Sequence, residues 1–230
     1  MVHHHRDVQG GAARAAVFGV SDGLVSNVGL ILGVAAAASD GSSVIVAGVA
    51  GLLAGAVSMA AGEYVSVKAE AELVERELEI ERESLAKEPE EETEELASIY
   101  MSRGLAEDQA RDLALAVMAD PEVALEVHAR EELGVDPDSV GDPLAAAGSS
   151  FVAFAIGAIL PLIPWFFMEG SGAILASVII GLVAAAAVGA TLAHFTERSK
   201  VRTAARQVLI AVAAGAITWL IGSLLGATVI

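Results

Sequence analysis

The sequence predicts an all-α integral membrane protein, with five transmembrane helices and an acidic helical domain between the second and the third. Two observations predict it. Of the 230 residues, 55% are hydrophobic, yet the formal net charge is −17. Residues 63–142 carry 25 of the 30 acidic residues but only 7 of the 13 Lys and Arg, a local charge of −18. The rest of the chain is therefore nearly neutral and apolar, which is the composition of a membrane body.

The apolar stretches are long enough to cross a membrane. A helix needs about 20 apolar residues to span the hydrocarbon core. Five stretches meet that length, namely 15–38, 44–67, 147–167, 173–195 and 208–230. We therefore expect an N-terminal part with the first two transmembrane helices (1–67), an acidic domain (68–142), and a C-terminal part with the last three helices (143–230).

The basic residues predict the orientation. With five alternating spans, the N-terminus, the acidic domain and the link between the fourth and fifth spans lie on one side, and all 13 Lys and Arg fall there. Because Lys and Arg mark the cytoplasmic side, we expect the N-terminus and the acidic domain to be cytoplasmic. A bacterial chain would then lie in the plasma membrane. We expect no transport role for the run His3, His4 and His5.

Helix start and stop residues divide the acidic domain. No Gly or Pro follows the second span before Pro89, so that span is expected to continue as one helix to Lys87. Three shorter helices are expected at 89–103, 106–119 and 121–134, and the first and last of these begin with proline. In the third span, Pro161 and Pro164 must kink or break the helix.

Two membrane spans carry side chains that could serve an ion. Asp22 lies in the first span on a face about 120° wide that it shares with Gly19, Gly23, Ser26, Gly29 and Gly33. An ionisable residue within a span is costly and is by default a functional hypothesis. Met59 and Glu63 share a face of the second span, and a thioether suits Fe²⁺ or another transition ion better than Mg²⁺ or Ca²⁺.

The acidic domain offers a second set of ligands. Glu92 and Glu95 are three residues apart, and His128 and Glu132 are four apart, so each pair projects from one helix face. Glu81 lies on an adjoining helix. Carboxylates that converge between packed helices with one histidine form the kind of site that helical bundles use for Fe²⁺ or Mn²⁺.

Together these residues resemble the vacuolar iron transporter family, as a bacterial-type member. The resemblance is carried by Phe18–Asn27, Gly55–Ser66, Glu94–Leu105, His128–Gly134 and Leu160–Pro164. It implies a homodimer that exports Fe²⁺, and often Mn²⁺, from the cytosol in exchange for protons. It further implies that Asp22 and Met59 line the translocation path, with Glu63 near its cytoplasmic mouth.

The resemblance also implies a ligand set in the acidic domain, formed by Glu81, Glu92, Glu95 and Glu132. Two positions depart from the family pattern, because Ser84 stands where a Glu is common and His128 stands where a Met is common. The bound and transported ion is expected to be Fe²⁺, with Mn²⁺, Zn²⁺ and Co²⁺ as further candidates. The other expected partners are protons, the lipid bilayer and a second copy of the chain, but no nucleic acid.

Two other classes of protein could carry a similar set of metal ligands. A membrane-anchored metal buffer or sensor would bind metal through the acidic domain without transport. A ferritin-like oxidase, which would be an enzyme, needs Glu-x-x-His pairs, and the acidic domain contains none. We therefore expect a transporter rather than an enzyme, with the buffer or sensor as the alternative.

Overall fold

The computed structural model describes residues 11–37, 40–137 and 141–229. Within these ranges the chain contains no strand, which confirms the all-α class. The run His3, His4 and His5 lies outside the described residues. The helices are α1 (Gly11–Ala37), α2 (Gly41–Lys87), α3 (Pro89–Ser102), α4 (Glu107–Met118), α5 (Pro121–Glu131), α6 (Pro143–Ile159), α7 (Gly170–Phe195) and α8 (Lys200–Val229), with a 3-10 segment at Leu160–Phe166 between α6 and α7.

Five helical stretches of the described chain are long and apolar enough to cross a membrane, which confirms the predicted number. They are Ala16–Ala37, Gly41–Lys87, Pro143–Phe166, Gly170–Phe195 and Lys200–Gly226. The second far exceeds the length that a bilayer requires, since α2 runs on without interruption to Lys87. The expectation that the second span continues as one helix is therefore also confirmed.

The chain divides into two compact units. One, here called the membrane unit, comprises the residues up to Tyr64 and those from Leu144 onward; the other, the acidic unit, is Val65–Pro143. Helix α2 contributes to both. The expected division into residues 1–67, an acidic domain at 68–142 and residues 143–230 stays a prediction.

Helix α1 is the centre of the membrane unit and packs closely against α6 and α8. A Cβ atom at Gly23 would meet the main chain of Phe154 and Ala158 in α6, and Gly33 lies directly against the main chain of Gly222 in α8. The small residues on α1 therefore serve two neighbours rather than one. Apolar side chains complete the core, including Leu24, Val28, Leu32, Ala185 and Ala211.

The predicted break in the third span is the 3-10 segment, which contains both prolines. In a 3-10 segment a carbonyl accepts a hydrogen bond from the N–H three residues on. For the Pro161 carbonyl that position is Pro164, and proline has no N–H. The Ala158 carbonyl lies at the junction of α6 and the 3-10 segment, where the residue three positions on is Pro161. Side chains of neighbouring helices donate to both carbonyls: Asn27 Nδ2 lies 2.6 Å from the Ala158 oxygen, and Ser177 Oγ lies 2.7 Å from the Pro161 oxygen.

The acidic unit is built on local helix signals and a small apolar core. Pro89 opens α3, and the Asp120 side chain caps α5 by accepting a hydrogen bond from the Glu122 N–H at 3.0 Å. The Arg111 guanidinium in α4 binds both carboxylate oxygens of Glu94 in α3, at 3.1 and 2.9 Å. Between these helices lie the buried residues Leu96, Ala97, Ala110 and Ala114.

The predicted end of the last helix of the acidic unit was wrong by three residues. Helix α5 ends at Glu131 rather than at Gly134. Gly134 instead has φ +66°, a left-handed conformation in the turn that follows the helix, and the Val135 N–H bonds to the Ala129 carbonyl at 3.0 Å. Glycine is suited to this turn because it has no Cβ atom to clash there.

Candidate functional site

Four side chains of the acidic unit converge on one point. Glu81 comes from α2, Glu92 from α3, His128 from α5, and Glu132 from the residue after α5. One ligand atom from each lies within 4.8 Å of all the others. The His128 Nδ1 atom lies 3.0 Å from Glu81 Oε1, 3.7 Å from Glu92 Oε2 and 3.8 Å from Glu132 Oε2.

Helix geometry explains why these side chains meet. His128 and Glu132 are four residues apart, so they lie one above the other at the end of α5. Glu92 is in the first turn of α3, where the partial positive charge of the helix end favours a carboxylate. His128 is fully buried and Glu81 is 6% exposed. The cluster is therefore largely shielded from solvent on the side of α2 and α5.

Burial and mutual repulsion disfavour the ionised carboxylates. Burial raises the pKa of Glu81 to about 7, and the negative charges of Glu132, Glu92 and Glu95 add to the effect. Burial also raises the pKa of Glu92, with Glu95 and Glu132 as further causes. Burial lowers the pKa of His128, although Glu132 and Glu95 oppose that shift. The imidazole is therefore held toward its neutral form, which is the form that binds a metal.

The cluster has the composition and spacing of a site for one divalent cation. At metal–ligand distances of about 2.1 Å, neighbouring ligand atoms of an octahedral ion lie about 3 Å apart and opposite ones about 4.2 Å apart. Within the described chain, Glu81 Oε1 and both ring nitrogens of His128 are buried and accept or donate no hydrogen bond. Three carboxylates and one imidazole suit Fe²⁺, Mn²⁺, Zn²⁺ or Co²⁺.

Glu95, the fifth ligand predicted in this region, lies outside the convergent group. It is exposed on α3, one turn from Glu92, and acts on the cluster through its charge. Ser84, where a Glu is common in the resembling family, is half-buried on α2 and contributes no carboxylate.

A second group of polar side chains lies in the membrane unit. A cavity of about 300 Å³ is lined by residues of α1, α2 and α6, namely Asp22, Ser26, Asn27, Leu30, Gly51, Gly55, Ser58, Met59 and Phe154. Asp22 is the one ionisable side chain among them, and its Oδ1 atom accepts a hydrogen bond from the Ser26 hydroxyl at 3.2 Å. The cavity therefore brings together a carboxylate, a thioether and several neutral oxygen atoms.

Only two of the three path residues predicted from the sequence line the cavity. Asp22 and Met59 both line the cavity, whereas Glu63 does not and lies half-exposed one turn further along α2. Asn27 was not selected from the sequence. At 100° per residue it is about 140° from Asp22 around α1, outside the face that contains Asp22. Its presence inside a membrane span was the signal that could have identified it, since polar groups there need a partner.

Comparison with known proteins agrees with these features. Residues 13–223 match the VIT family. Vacuolar iron transporter 1 of Eucalyptus grandis is 32% identical over 90% of this chain and 84% of its own length. Vacuolar iron transporter 1 of Arabidopsis thaliana is 31% identical over 94% of this chain and 88% of its own. The vacuolar iron transporter of Acanthamoeba castellanii is 40% identical over 81% of this chain and 70% of its own. This five-span chain belongs to the VIT family, a family of transporters and not of enzymes.

Proposed function

We propose that this protein transports Fe²⁺ across a membrane, exporting it from the cytosol in exchange for protons. One observation carries the proposal. Asp22 and Met59 line a single cavity between the membrane-spanning helices α1, α2 and α6. A carboxylate inside a span is costly unless it serves an ion, and a thioether beside it favours a transition ion over Mg²⁺ or Ca²⁺. The names of the relatives support iron as the cargo.

In this proposal the acidic unit captures metal before transport. Glu81, Glu92, His128 and Glu132 bind the ion directly, and exposed Glu95 attracts cations to them through its charge. Glu63 acts near the cytoplasmic mouth of the path. The same carboxylate and imidazole donors would accept Mn²⁺, Zn²⁺ and Co²⁺, so these ions are proposed as secondary cargo.

Proton exchange follows from competition at Asp22. A carboxylate must lose its proton before it binds a metal. When the cavity is open to the cytosol, ionised Asp22 binds Fe²⁺; when it is open to the other side, a proton displaces the metal. A proton gradient directed toward the cytosol therefore drives metal outward.

The proposal includes an orientation and a homodimer. The distribution of Lys and Arg supports a cytoplasmic N-terminus and a cytoplasmic acidic unit, and a bacterial chain would act in the plasma membrane. In a single copy Asp22, Ser26 and Ser58 are exposed at the surface of the membrane unit. Because polar groups facing lipid are costly, a second copy that covers this face would stabilise the protein.

Flux measured in vesicles distinguishes transport from buffering. Protein reconstituted into vesicles with an acidic lumen should accumulate Fe²⁺ inside, and collapsing the proton gradient should abolish the accumulation. A metal buffer or sensor would bind Fe²⁺ under both conditions without accumulating it inside. Stoichiometric binding with no flux under either condition would therefore refute the proposal in favour of that alternative.

A further inference from the structure

We propose that the side-chain oxygen of Asn27 is a metal ligand in the membrane cavity, held in place by the helix break in the third span. This inference deepens the proposed function and rests on it for the identity of the ion. Asn27 is 2% exposed, and its Oδ1 atom has no hydrogen-bond partner in the described part of the chain. Burying an amide oxygen without a partner is costly, so such an oxygen is suited to bind a ligand.

The direction of the amide is fixed by its other end. Asn27 Nδ2 lies 2.6 Å from the Ala158 carbonyl oxygen. The reverse assignment would set two carbonyl oxygens against each other, which is repulsive because neither can donate a hydrogen. The donor therefore points to α6, and the acceptor is left for the cavity that Asn27 lines.

The Ala158 carbonyl that accepts from Asn27 lies next to Pro161, where the α-helical pattern of α6 changes to the 3-10 pattern. The 3-10 segment begins two residues after Ala158, and the residue three positions on is a proline without an N–H. The acceptor that orients Asn27 therefore lies at the break in the third span. Asn27 Oδ1 faces α2 at Gly51, where a Cβ atom would lie 3.2 Å from it and still closer to Leu30 Cδ2, so the absence of a side chain at Gly51 lets both Asn27 and Leu30 approach α2 closely.

The other donors that line the cavity would complete the ion site. Asp22 supplies the one negative charge, with one of its oxygens held by Ser26. Asn27 adds a neutral oxygen, and Met59 adds the thioether. One carboxylate leaves a divalent ion with a residual positive charge, which neutral dipoles such as an amide oxygen stabilise. An ion leaves such a site more readily than a site with several carboxylates, as transport requires.

Ser177 offers a matched control for the structural role of Asn27. It caps the Pro161 carbonyl, at 2.7 Å, but it does not line the cavity. Asn27→Leu removes both the cap and the cavity oxygen, whereas Ser177→Ala removes a cap and the acceptor of the Trp165 Nε1–H, at 2.9 Å, but no group that lines the cavity. If Asn27 acts only by capping α6, the two variants should resemble each other in metal binding.

The test is equilibrium binding of Mn²⁺ to purified full-length protein in which Glu81, Glu92 and Glu132 are all replaced by Gln. That background removes the carboxylates of the acidic cluster, so binding at the cavity is isolated. We expect Asn27→Leu to weaken the remaining site by about tenfold or more, the size of effect seen for groups that support a bound metal. Ser177→Ala should change it by less than about twofold, the effect of a cap that touches no ligand.

Equal weakening by both variants, no effect of Asn27→Leu, or no residual site in the background protein would each overturn the inference. If Asn27→Leu does not fold, Asn27→Ser decides, because the shorter hydroxyl side chain withdraws the amide oxygen from the cavity, and an unchanged Mn²⁺ affinity would contradict the proposal. This assay measures Mn²⁺ binding separately from Fe²⁺ flux. A protein that shows Asn27-dependent binding without vesicle transport would refute the proposed function and retain this ligand.

Discussion

The Nδ1 atom of His128 lies 3.0 Å from the Oε1 atom of Glu81, and both atoms are buried without a hydrogen-bond partner in the described chain. The pKa values of the two groups shift in opposite directions, since burial raises that of Glu81 and lowers that of His128. Both shifts disfavour charge in the metal-free cluster. A divalent cation would reverse this preference by binding the ionised carboxylate and the neutral imidazole together.

The first prediction concerns pH. Below its ordinary pKa of 4.5, Glu81 is protonated both in the unfolded chain and in the folded protein; between pH 4.5 and about 7 only the folded protein retains the proton. Glu81 should therefore make the metal-free protein lose stability as pH rises through this window, because it holds a proton that the unfolded chain has released. The lowered pKa of His128 contributes in the opposite direction up to pH 6.5, so the Glu81 effect is measured as the difference from a Glu81→Gln variant. Metal affinity should rise through the same window, because the metal requires the ionised carboxylate.

Thermal unfolding of detergent-purified protein at several pH values, with and without Mn²⁺, checks this prediction. Replacing Glu81 with Gln should flatten the metal-free pH dependence and raise metal-free stability above pH 7, while weakening stabilisation by Mn²⁺. A metal-free protein that instead gains stability between pH 4.5 and 7, and does so equally in the Gln variant, would show that Glu81 is not the titrating group.

The second prediction separates two glutamates on the same helix. Glu92 belongs to the convergent group, whereas Glu95, one turn away, is exposed and outside it. Glu92→Gln should weaken metal binding to the acidic unit by about a hundredfold, as expected for the loss of a charged ligand next to a buried imidazole. Glu95→Gln should weaken it by only about three- to tenfold, because an exposed charge acts through solvent.

Calorimetric titration of Mn²⁺ into the full-length variants measures both effects. The weakening by Glu95→Gln should largely disappear in about 1 M salt, where the screening length is about 3 Å. Equal losses for the two variants at high salt would make Glu95 a direct ligand, as the sequence predicted, and would extend the site beyond the four side chains.

The third prediction tests the close crossing of α1 and α6. A Cβ atom at Gly157 would overlap the main-chain carbonyl of Val20, whereas a Cβ atom at Gly148, on the same helix, has no neighbour within 4 Å. Gly157→Ala should destabilise the protein by about 1–3 kcal/mol, since main chain cannot rotate away from the added methyl group. Gly148→Ala should leave stability unchanged or slightly higher, because alanine favours helix.

The melting temperature in detergent and the fraction of monodisperse protein on gel filtration report this difference. A Gly157→Ala variant as stable as Gly148→Ala would mean that α1 and α6 are further apart than described. Comparison within one helix removes the general effect of replacing glycine by alanine.

The sequence predicted the helices well because their signals are local. The uninterrupted stretch up to Lys87 fixed the length of α2, and the Asp120-Pro121 pair fixed the start of α5. The end of α5 was less certain because Gly134 stops the helix through the turn that follows it. The length, hydropathy and capping of a helix depend on residues that are close together in the chain. One sequence is therefore enough to predict them.

The sites depend on packing between helices, which the sequence constrains less. The four-residue spacing predicted that His128 and Glu132 project from one helix face. Spacing along the chain could not establish that Glu81 would meet them while Glu95 would not. It also placed Asn27 outside the face of Asp22, although α6 and α2 pack so that both side chains line one cavity. Contacts of this kind depend on the distance between helices and on which main-chain carbonyls lack a partner. The periodicity of a sequence gives neither.

The most direct test of the account is Fe²⁺ flux into vesicles with an acidic lumen, compared for the wild type, Asp22→Asn and Asp40→Asn. Asp40 is a matched aspartate that accepts hydrogen bonds from Ser42 and Ser43 at the start of α2, where Asn caps a helix equally well. We expect Asp40→Asn to transport like the wild type and Asp22→Asn to fall below about a tenth of that rate, because an uncharged amide cannot exchange a proton for a metal. Equal flux through Asp22→Asn and Asp40→Asn would contradict the account.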